Sequence, residues 1–326
     1  MNDWRILLLH TRQETLLKRA FETAFPDRTL SVHVPALGEE KKCWMVSKPN
    51  LVDYFRRQVY DSGIWSGRVL TIYGDGNFHH YTYPLTRLAC DRRGLHSWDW
   101  TYFHFDNHRD DWGRRRPSGE PYKLTCAGFV DSIAHDHRAI PFMVGPDVYA
   151  KKDSQGYLIN GQKIPIYHNR FPKYLQESKR WTNNSELSGD TDPRRLPVRR
   201  DLEETPTESY ISFDLDLLPV EEIVTNYDQN PRMSLRHLIR QVERVREYKR
   251  IFSADILGFP DDCHHSLSAL TMIILARKLM GLGVKSLLEH HTHLKQRQAK
   301  ITSRVAFADR NRQSPIEEGE LMEVLT

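Results

Sequence analysis

Trp100-Thr101-Tyr102-Phe103-His104-Phe105-Asp106-Asn107-His108-Arg109-Asp110 sets an apolar run directly against an Asp-x-His-x-Asp pattern. The run reads as a buried strand over Thr101–Phe105. On an extended backbone, side chains at i, i+2 and i+4 share one face, so Asp106, His108 and Asp110 are expected to converge at the strand's C-terminal end. Open α/β sheets place their ligands at that end. Two carboxylates and an imidazole suit a hard or borderline divalent cation, and without one the carboxylates repel each other.

A second pattern repeats the first. Ser212-Phe213-Asp214-Leu215-Asp216-Leu217-Leu218-Pro219 again follows an apolar run, Ser209–Phe213, and again puts two carboxylates at i and i+2. Five donors exceed what one catalytic metal takes from protein, whereas carboxylates bridging two metals use them all. A third segment, Gly74-Asp75-Gly76-Asn77-Phe78-His79-His80-Tyr81-Thr82, follows the apolar run Arg68–Tyr73 and presents a histidine near a helix start.

Further out, Arg5–Leu9, Ile251–Leu257 and Val284–Leu288 read as more buried strands. Helical stripes lie between them: Leu16, Leu17, Ala20 and Phe21; Leu51, Tyr54 and Phe55; Leu235, Leu238, Ile239, Val242 and Val245; and the apolar Ser266–Met280, with Ser266 as N-cap and Gly281 as stop. Strands alternating with helices predict βαβ units around a parallel sheet. The polar stretch Lys151–Thr207 breaks the alternation and reads as a surface insertion in one domain spanning 1–326. Within it, Tyr157–Ile164 reads as a hairpin turning at Asn160-Gly161. From about Ser314 the glutamate-rich end reads as a mobile tail.

Composition excludes several classes. Among 326 residues, 39% are hydrophobic and 10% aromatic, enough to build a core, so the chain is not disordered. No apolar run approaches the ~20 residues of a membrane span, and the short run Ile6–Leu9 is no signal segment, so a cytoplasmic protein is expected. Cys43, Cys90, Cys126 and Cys263 form no CxxC pair. Lys+Arg 47 against Asp+Glu 43 leaves +4, too little to point to nucleic acid; the arginine clusters at 114–116, 194–195 and 199–200 read as solvated loops.

Taken in order, the three segments resemble the arginase/agmatinase (ureohydrolase) superfamily. That family carries a Gly-Gly-Asp/Glu-His-Ser turn, then Asp-Ala-His-x-Asp, then Ser-x-Asp-x-Asp-x-x-Asp-Pro. Here Gly76–Pro84, Asp106–Asp110 with Asn107 in place of Ala, and Ser212–Asp216 with Leu218-Pro219 in place of Asp-Pro fit them. The resemblance runs from His79 to Asp216 and extends to about Pro260; the first 60 residues and the 151–207 insertion have no counterpart in it. It implies a three-layer α/β/α fold with a mostly parallel, about eight-stranded sheet. It also implies two divalent ions, manganese in the family, that activate a bridging water. Carried across, His79, Asp106, Asp110 and Asp214 hold one ion, and His108, Asp106, Asp214 and Asp216 the other. The motif selects His79 over His80.

Two departures bear on chemistry. Where the family has a glutamate gripping the guanidinium of its substrate, Ser253-Ala254-Asp255-Ile256-Leu257-Gly258 places Gly258, which leaves Asp255, Asp261 and Asp262 as replacements. The family's proton-shuttling histidine is missing from Lys123–Gly128, and His135 and His137 follow downstream. The expectation is a hydrolase acting on a C–N bond of a small guanidino, amidine or related compound, with His137 or Asp262 protonating the leaving amine. The alternative is a metal-binding, catalytically inactive relative acting as a binding or regulatory protein. A homo-oligomer is compatible with either. His264-His265 and His290-His291-His293 read as further rim histidines.

Overall fold

The computed structural model describes residues 3–10, 15–34, 46–59, 67–74, 76–108, 110–111, 123–145, 156–159, 162–165, 167–168, 196–197, 199–225, 227, 229, 233–260, 263–302 and 316–326. In chain order the elements are β1 (Trp4–His10), α1 (Leu16–Ala24), β2 (Thr29–His33), β3 (Val46–Ser47), α2 (Lys48–Gln58), β4 (Arg68–Tyr73) and, after a 3-10 turn at Gly76–Tyr81, α3 (Thr82–Arg93). Next come β5 (Trp100–Phe105), β6 (Lys123–Leu124), α4 (Phe129–Asp136), β7 (Ile140–Val144), β8 (Gly156–Ile159), β9 (Gln162–Pro165), β10 (Tyr167–His168) and α5 (Arg199–Glu204). The rest are β11 (Glu208–Asp214), a 3-10 turn at Leu215–Leu217, α6 (Leu235–Tyr248), β12 (Arg250–Leu257), α7 (Ser266–Leu279), α8 (Lys285–Thr302) and α9 (Glu318–Leu325).

Eight strands form one sheet in the order β10-β7-β5-β11-β12-β4-β1-β2. Every pairing in it is parallel. The central strands carry apolar side chains on both faces, as burial between two helix layers requires. Alternate residues feed two separate cores. Ile6, Leu8, Leu70, Ile72, Phe103, Phe105, Ile211, Phe213, Ala254 and Ile256 pack with α1, α6 and α7. Leu7, Leu9, Val69, Tyr73, Trp100, Tyr102, Tyr210 and Phe252 pack with α2, α3 and α4. The result is the three-layer α/β/α architecture. Fully buried phenylalanines such as Phe103 and Phe105 each contribute about 2–3 kcal/mol.

The strands read at Arg5–Leu9, Arg68–Tyr73, Thr101–Phe105, Ser209–Phe213 and Ile251–Leu257 lie within β1, β4, β5, β11 and β12. Val284–Leu288 is a correction: it opens helix α8. Val284, Leu287, Leu288, His291 and Leu294 recur every three to four residues, a helical stripe hidden by a short apolar run. Three sheet strands escaped the sequence reading. β2 is a half-exposed edge strand, β7 contains Pro141, and β10 is two residues long. β8 and β9 pair antiparallel, with Tyr157 opposite Ile164, while the expected turn at Asn160-Gly161 lies outside the described residues. The N-cap of α7 is His265, not Ser266; its side chain accepts from Ser268 N. The acidic end is not simply a tail. It folds as α9, with Leu321 fully buried and Glu318 paired with Arg19 of α1. Glutamates reach solvent while the apolar residues between them share the core.

Candidate metal centre

β4, β5 and β11 end side by side near the middle of the sheet, with only β12 between β4 and β11. Their C-terminal extensions supply His79, Asp106, His108, Asp110, Asp214 and Asp216. His79 Nδ1 lies 3.0 Å from Asp106 Oδ2, 3.2 Å from Asp110 Oδ2 and 3.4 Å from Asp214 Oδ2. His108 Nδ1 lies 2.8 Å from Asp216 Oδ2 and 3.5 Å from Asp106 Oδ1. Asp106 thus stands between two clusters, one oxygen turned to each. All six residues assigned from sequence come together.

They do not converge through strand alternation. β5 stops at Phe105, and the chain bends so that Asp106 Oδ1 accepts from His108 N at 2.6 Å. Asp110 closes the bend at φ +48°, in the left-handed region that aspartate tolerates better than most residues. Asp214 caps the 3-10 turn after β11 by accepting from Asp216 N at 3.2 Å. Turn chemistry aims these carboxylates, and the sheet only delivers the turns. Gly76 is required at the third turn: a Cβ there stands 2.9 Å from Asp214 Oδ2 and 2.8 Å from the Tyr227 ring. Tyr227 covers the mouth, donating its hydroxyl to Asn77 Oδ1 at 2.5 Å and setting its ring edge-on to His108. His108 is the exposed member of the six at 37%, while the Asp106 and Asp216 side chains are at 1% and 0%.

Four carboxylates this close demand positive charge. Burial, then the negative charges of Asp216 and Asp106, hold Asp214 well above the usual carboxyl range. Burial and Asp106 push Asp216 up to about 7. Hydrogen bonds to Asp106 and Asp216 push His108 up to about 12. Burial opposes charge on His79, but Asp106 and Asp110 carry its pKa well above the ordinary value. Protons therefore occupy the place that divalent cations would take. His79 Nδ1, Asp106 Oδ2 and Asp216 Oδ2 are buried and make no aligned hydrogen bond to a described residue. Orphaned hard oxygens and imidazole nitrogens facing one another fit divalent metal ions.

Behind the ligands, Ser212 Oγ donates to Asp255 Oδ1 at 2.5 Å and Tyr210 donates to Asp255 Oδ2 at 2.7 Å. Ser212 Oγ, with its proton committed, accepts from His79 Nε2 at 3.0 Å. This leaves Nδ1 facing the carboxylates, where a cation that displaced its proton would take the lone pair. Asp255 is fully buried in mid-strand, so it does not replace the missing substrate-gripping glutamate; through Ser212 it anchors His79. Ser212→Ala and Asp255→Asn are expected to weaken metal binding by about 10–100-fold, read by titration with manganese, with little loss of secondary structure.

Other sequence-assigned residues fall elsewhere. His137 is a correction. It ends α4 near the N-terminal edge of the sheet, where its carbonyl accepts from Trp100 Nε1 at 3.1 Å and its Nδ1 meets Thr86 Oγ1 at 3.0 Å. The length of β5, about 17 Å, separates that edge from the centre. Burial drives its pKa to about 3, so it is neutral and a poor acid at neutral pH. His135 pairs with its neighbour Asp136. Asp261 and Asp262 lie outside the described residues. His291 is buried against Thr271 between α7 and α8. His80 is buried beside His79, its pKa lowered to about 3 by burial. The sequence reading missed His104, which brings its Nε2 to 3.2 Å from Asp106 Oδ2. Its signal was the period-2 register that puts Tyr102, His104 and Asp106 on one face.

The arginase from Medicago truncatula matches over 85% of this chain and 86% of that one, with a TM-score of 0.53 at 17% identity. The chain has the arginase fold. A hypothetical agmatinase from Burkholderia thailandensis matches over 91% of this chain and 87% of its own, with a TM-score of 0.50 at 16% identity. An Entamoeba histolytica arginase in complex with L-ornithine matches over 86% and 98%, with a TM-score of 0.50 at 12% identity. No protein-family model and no curated protein matches this arginase-fold chain in sequence. No helix among the described residues is long and apolar enough to cross a membrane.

Proposed function

We propose that this chain is a binuclear metal-dependent hydrolase acting on a carbon–nitrogen bond of a small guanidino, amidine or related compound. The observation that carries the reading is the pair of clusters sharing Asp106, with buried donor atoms facing one another unpaired. His79, Asp106, Asp110 and Asp214 would hold one divalent cation, and His108, Asp106, Asp214 and Asp216 the other. Manganese is the ion the sequence resemblance implies. When bound, such a pair supplies Lewis acidity that makes water a nucleophile near neutral pH.

The chain's own residues do the rest. Ser212 and Asp255 hold His79 in its ligating tautomer. Gly76 and Tyr227 shape the mouth and limit water at the rim beside His108. Asp262, two positions after Pro260 in the sequence, is the residue to which we assign the proton that the departing amine takes up. His137 has no part in that step.

Gly258 favours a second reading, a metal-binding but non-catalytic protein, because no side chain at that position can grip a substrate. One experiment separates the two. Protein purified without chelator is expected to carry about two divalent ions per chain by elemental mass spectrometry. It is also expected to release urea or ammonia from some member of a panel of guanidino compounds, amidines, formimino compounds and amides. Metal with no turnover across the panel moves the non-catalytic reading to first place. No metal, even after manganese is supplied, sinks both.

A further inference from the structure

His104 is absent from the ligand set carried over by resemblance, yet it is built like a ligand. It lies on β5 two residues before Asp106 and is fully buried. Its ring stacks on that of His79 with centroids 5.1 Å apart, and Phe129 seals both rings from the α4 side. Donor atoms of His79, His104 and Asp106 all lie within 4.8 Å of one another. His104 Nε2, His79 Nδ1 and Asp106 Oδ2 face each other, and none makes an aligned hydrogen bond to a described residue. Three buried polar atoms left unpaired around one point are costly unless something sits between them.

The far sides of both rings are tied down. His79 Nε2 meets Ser212 Oγ at 3.0 Å, and His104 Nδ1 meets the Tyr102 hydroxyl at 3.3 Å. A phenol oxygen accepts as readily as it donates. With Nδ1–H donated to Tyr102, His104 keeps the Nε2 lone pair for a cation, the arrangement found behind metal-ligating histidines.

We propose that His104 is a ligand of the inner metal ion, so that the buried site carries two imidazoles, His79 and His104, besides its carboxylates. This rests on the binuclear reading above. Two nitrogen donors shift a carboxylate site from manganese toward borderline ions such as cobalt or zinc. The inner site therefore favours those ions, while the outer site, with one imidazole, remains the manganese-like one.

The test uses the whole chain loaded with cobalt(II) and proton NMR of the paramagnetically shifted, exchangeable imidazole N–H signals. Three such signals are expected, from His79, His104 and His108. His104→Gln is expected to lose one signal and to weaken inner-site cobalt binding by at least about tenfold, with manganese binding less affected. Tyr102→Phe, which keeps the packing, is expected to broaden the same signal by freeing its N–H to exchange. Two signals in the parent protein, both kept in either variant, overturn the assignment while leaving the binuclear centre standing. Failure of the parent to bind cobalt or manganese at all is instead the failure of the binuclear reading.

Discussion

Asp214→Asn is expected to bind metal at least about 100-fold more weakly at both positions, yet to leave the metal-free protein no less stable near pH 6 and more stable near pH 9. Asp214 belongs to both proposed ligand sets, and an amide gives up the charge that holds both ions. In the metal-free protein that same charge is a liability. Burial and the carboxylates of Asp216 and Asp106 hold the Asp214 pKa well above its ordinary value. A carboxyl whose pKa is raised in the fold favours the folded state while protonated. Its contribution is complete below the ordinary carboxyl pKa and is lost as pH rises through the folded value. Asp216, pushed up to about 7, loses its own contribution as pH rises through that value.

Buried neutral histidines such as His80 and His137 add their own pH dependence to both proteins alike, so the parent should lose melting temperature relative to metal-free Asp214→Asn as pH rises from about 4. Bound cations displace the protons, so the loaded protein should show the opposite trend across the same range. Asparagine cannot ionise and mimics the protonated acid, which flattens the metal-free slope. Thermal melts in chelator and in manganese, across pH, read both effects. Unchanged metal affinity would remove Asp214 from the centre, and an unchanged metal-free slope would refute the electrostatic account.

Gly258→Glu, which restores the residue the related family uses to grip its substrate, is expected to destroy the centre rather than sharpen it. Gly258 holds φ +106°, a conformation side chains rarely adopt. A Cβ there stands 2.8 Å from Asp214 Oδ1 and 2.9 Å from Leu215 N. Gly258 N also donates to Gly74 O at 2.9 Å, tying the end of β12 to the end of β4. The backbone cannot shift to make room without dragging two ligand-bearing turns. A cost of about 2–4 kcal/mol and loss of bound metal are expected, measured by thermal melts and elemental analysis. A variant that keeps its metal and gains guanidine hydrolysis would show that the backbone here adapts freely. On the hydrolase reading proposed above, a substrate would then be gripped at the mouth beside Tyr227 rather than from the end of β12.

The six candidate donors were legible because each reports a local fact. An apolar run ending in closely spaced aspartates and a histidine announces a strand end with charge that needs a partner, and the run at Trp100–Phe105 did so at once. The geometric reason first attached to that spacing was incomplete. Alternation aims Tyr102, His104 and Asp106, but His108, Asp110 and Asp216 are aimed by turns beyond the strands. His137 misled because nearness in sequence to the centre says nothing about which edge of the sheet a helix returns to. α4 runs back to the N-terminal edge before β7 begins, as a right-handed crossover between parallel strands must.

By itself the sequence determined the α/β alternation, a chain apolar enough for a core, and the six acidic and histidine donors. Periodicity and composition act residue by residue along the chain, and they need no partner to be read. Tertiary structure alone decided that His104 faces the centre, that Asp255 anchors His79 from inside the sheet, that Gly258 is walled by Asp214, and that the glutamate-rich end docks as a helix. Each of these depends on which strands lie side by side. The β4-β12-β11-β5 order juxtaposes residues up to about 180 positions apart, and nothing in the local pattern of either partner encodes that neighbour.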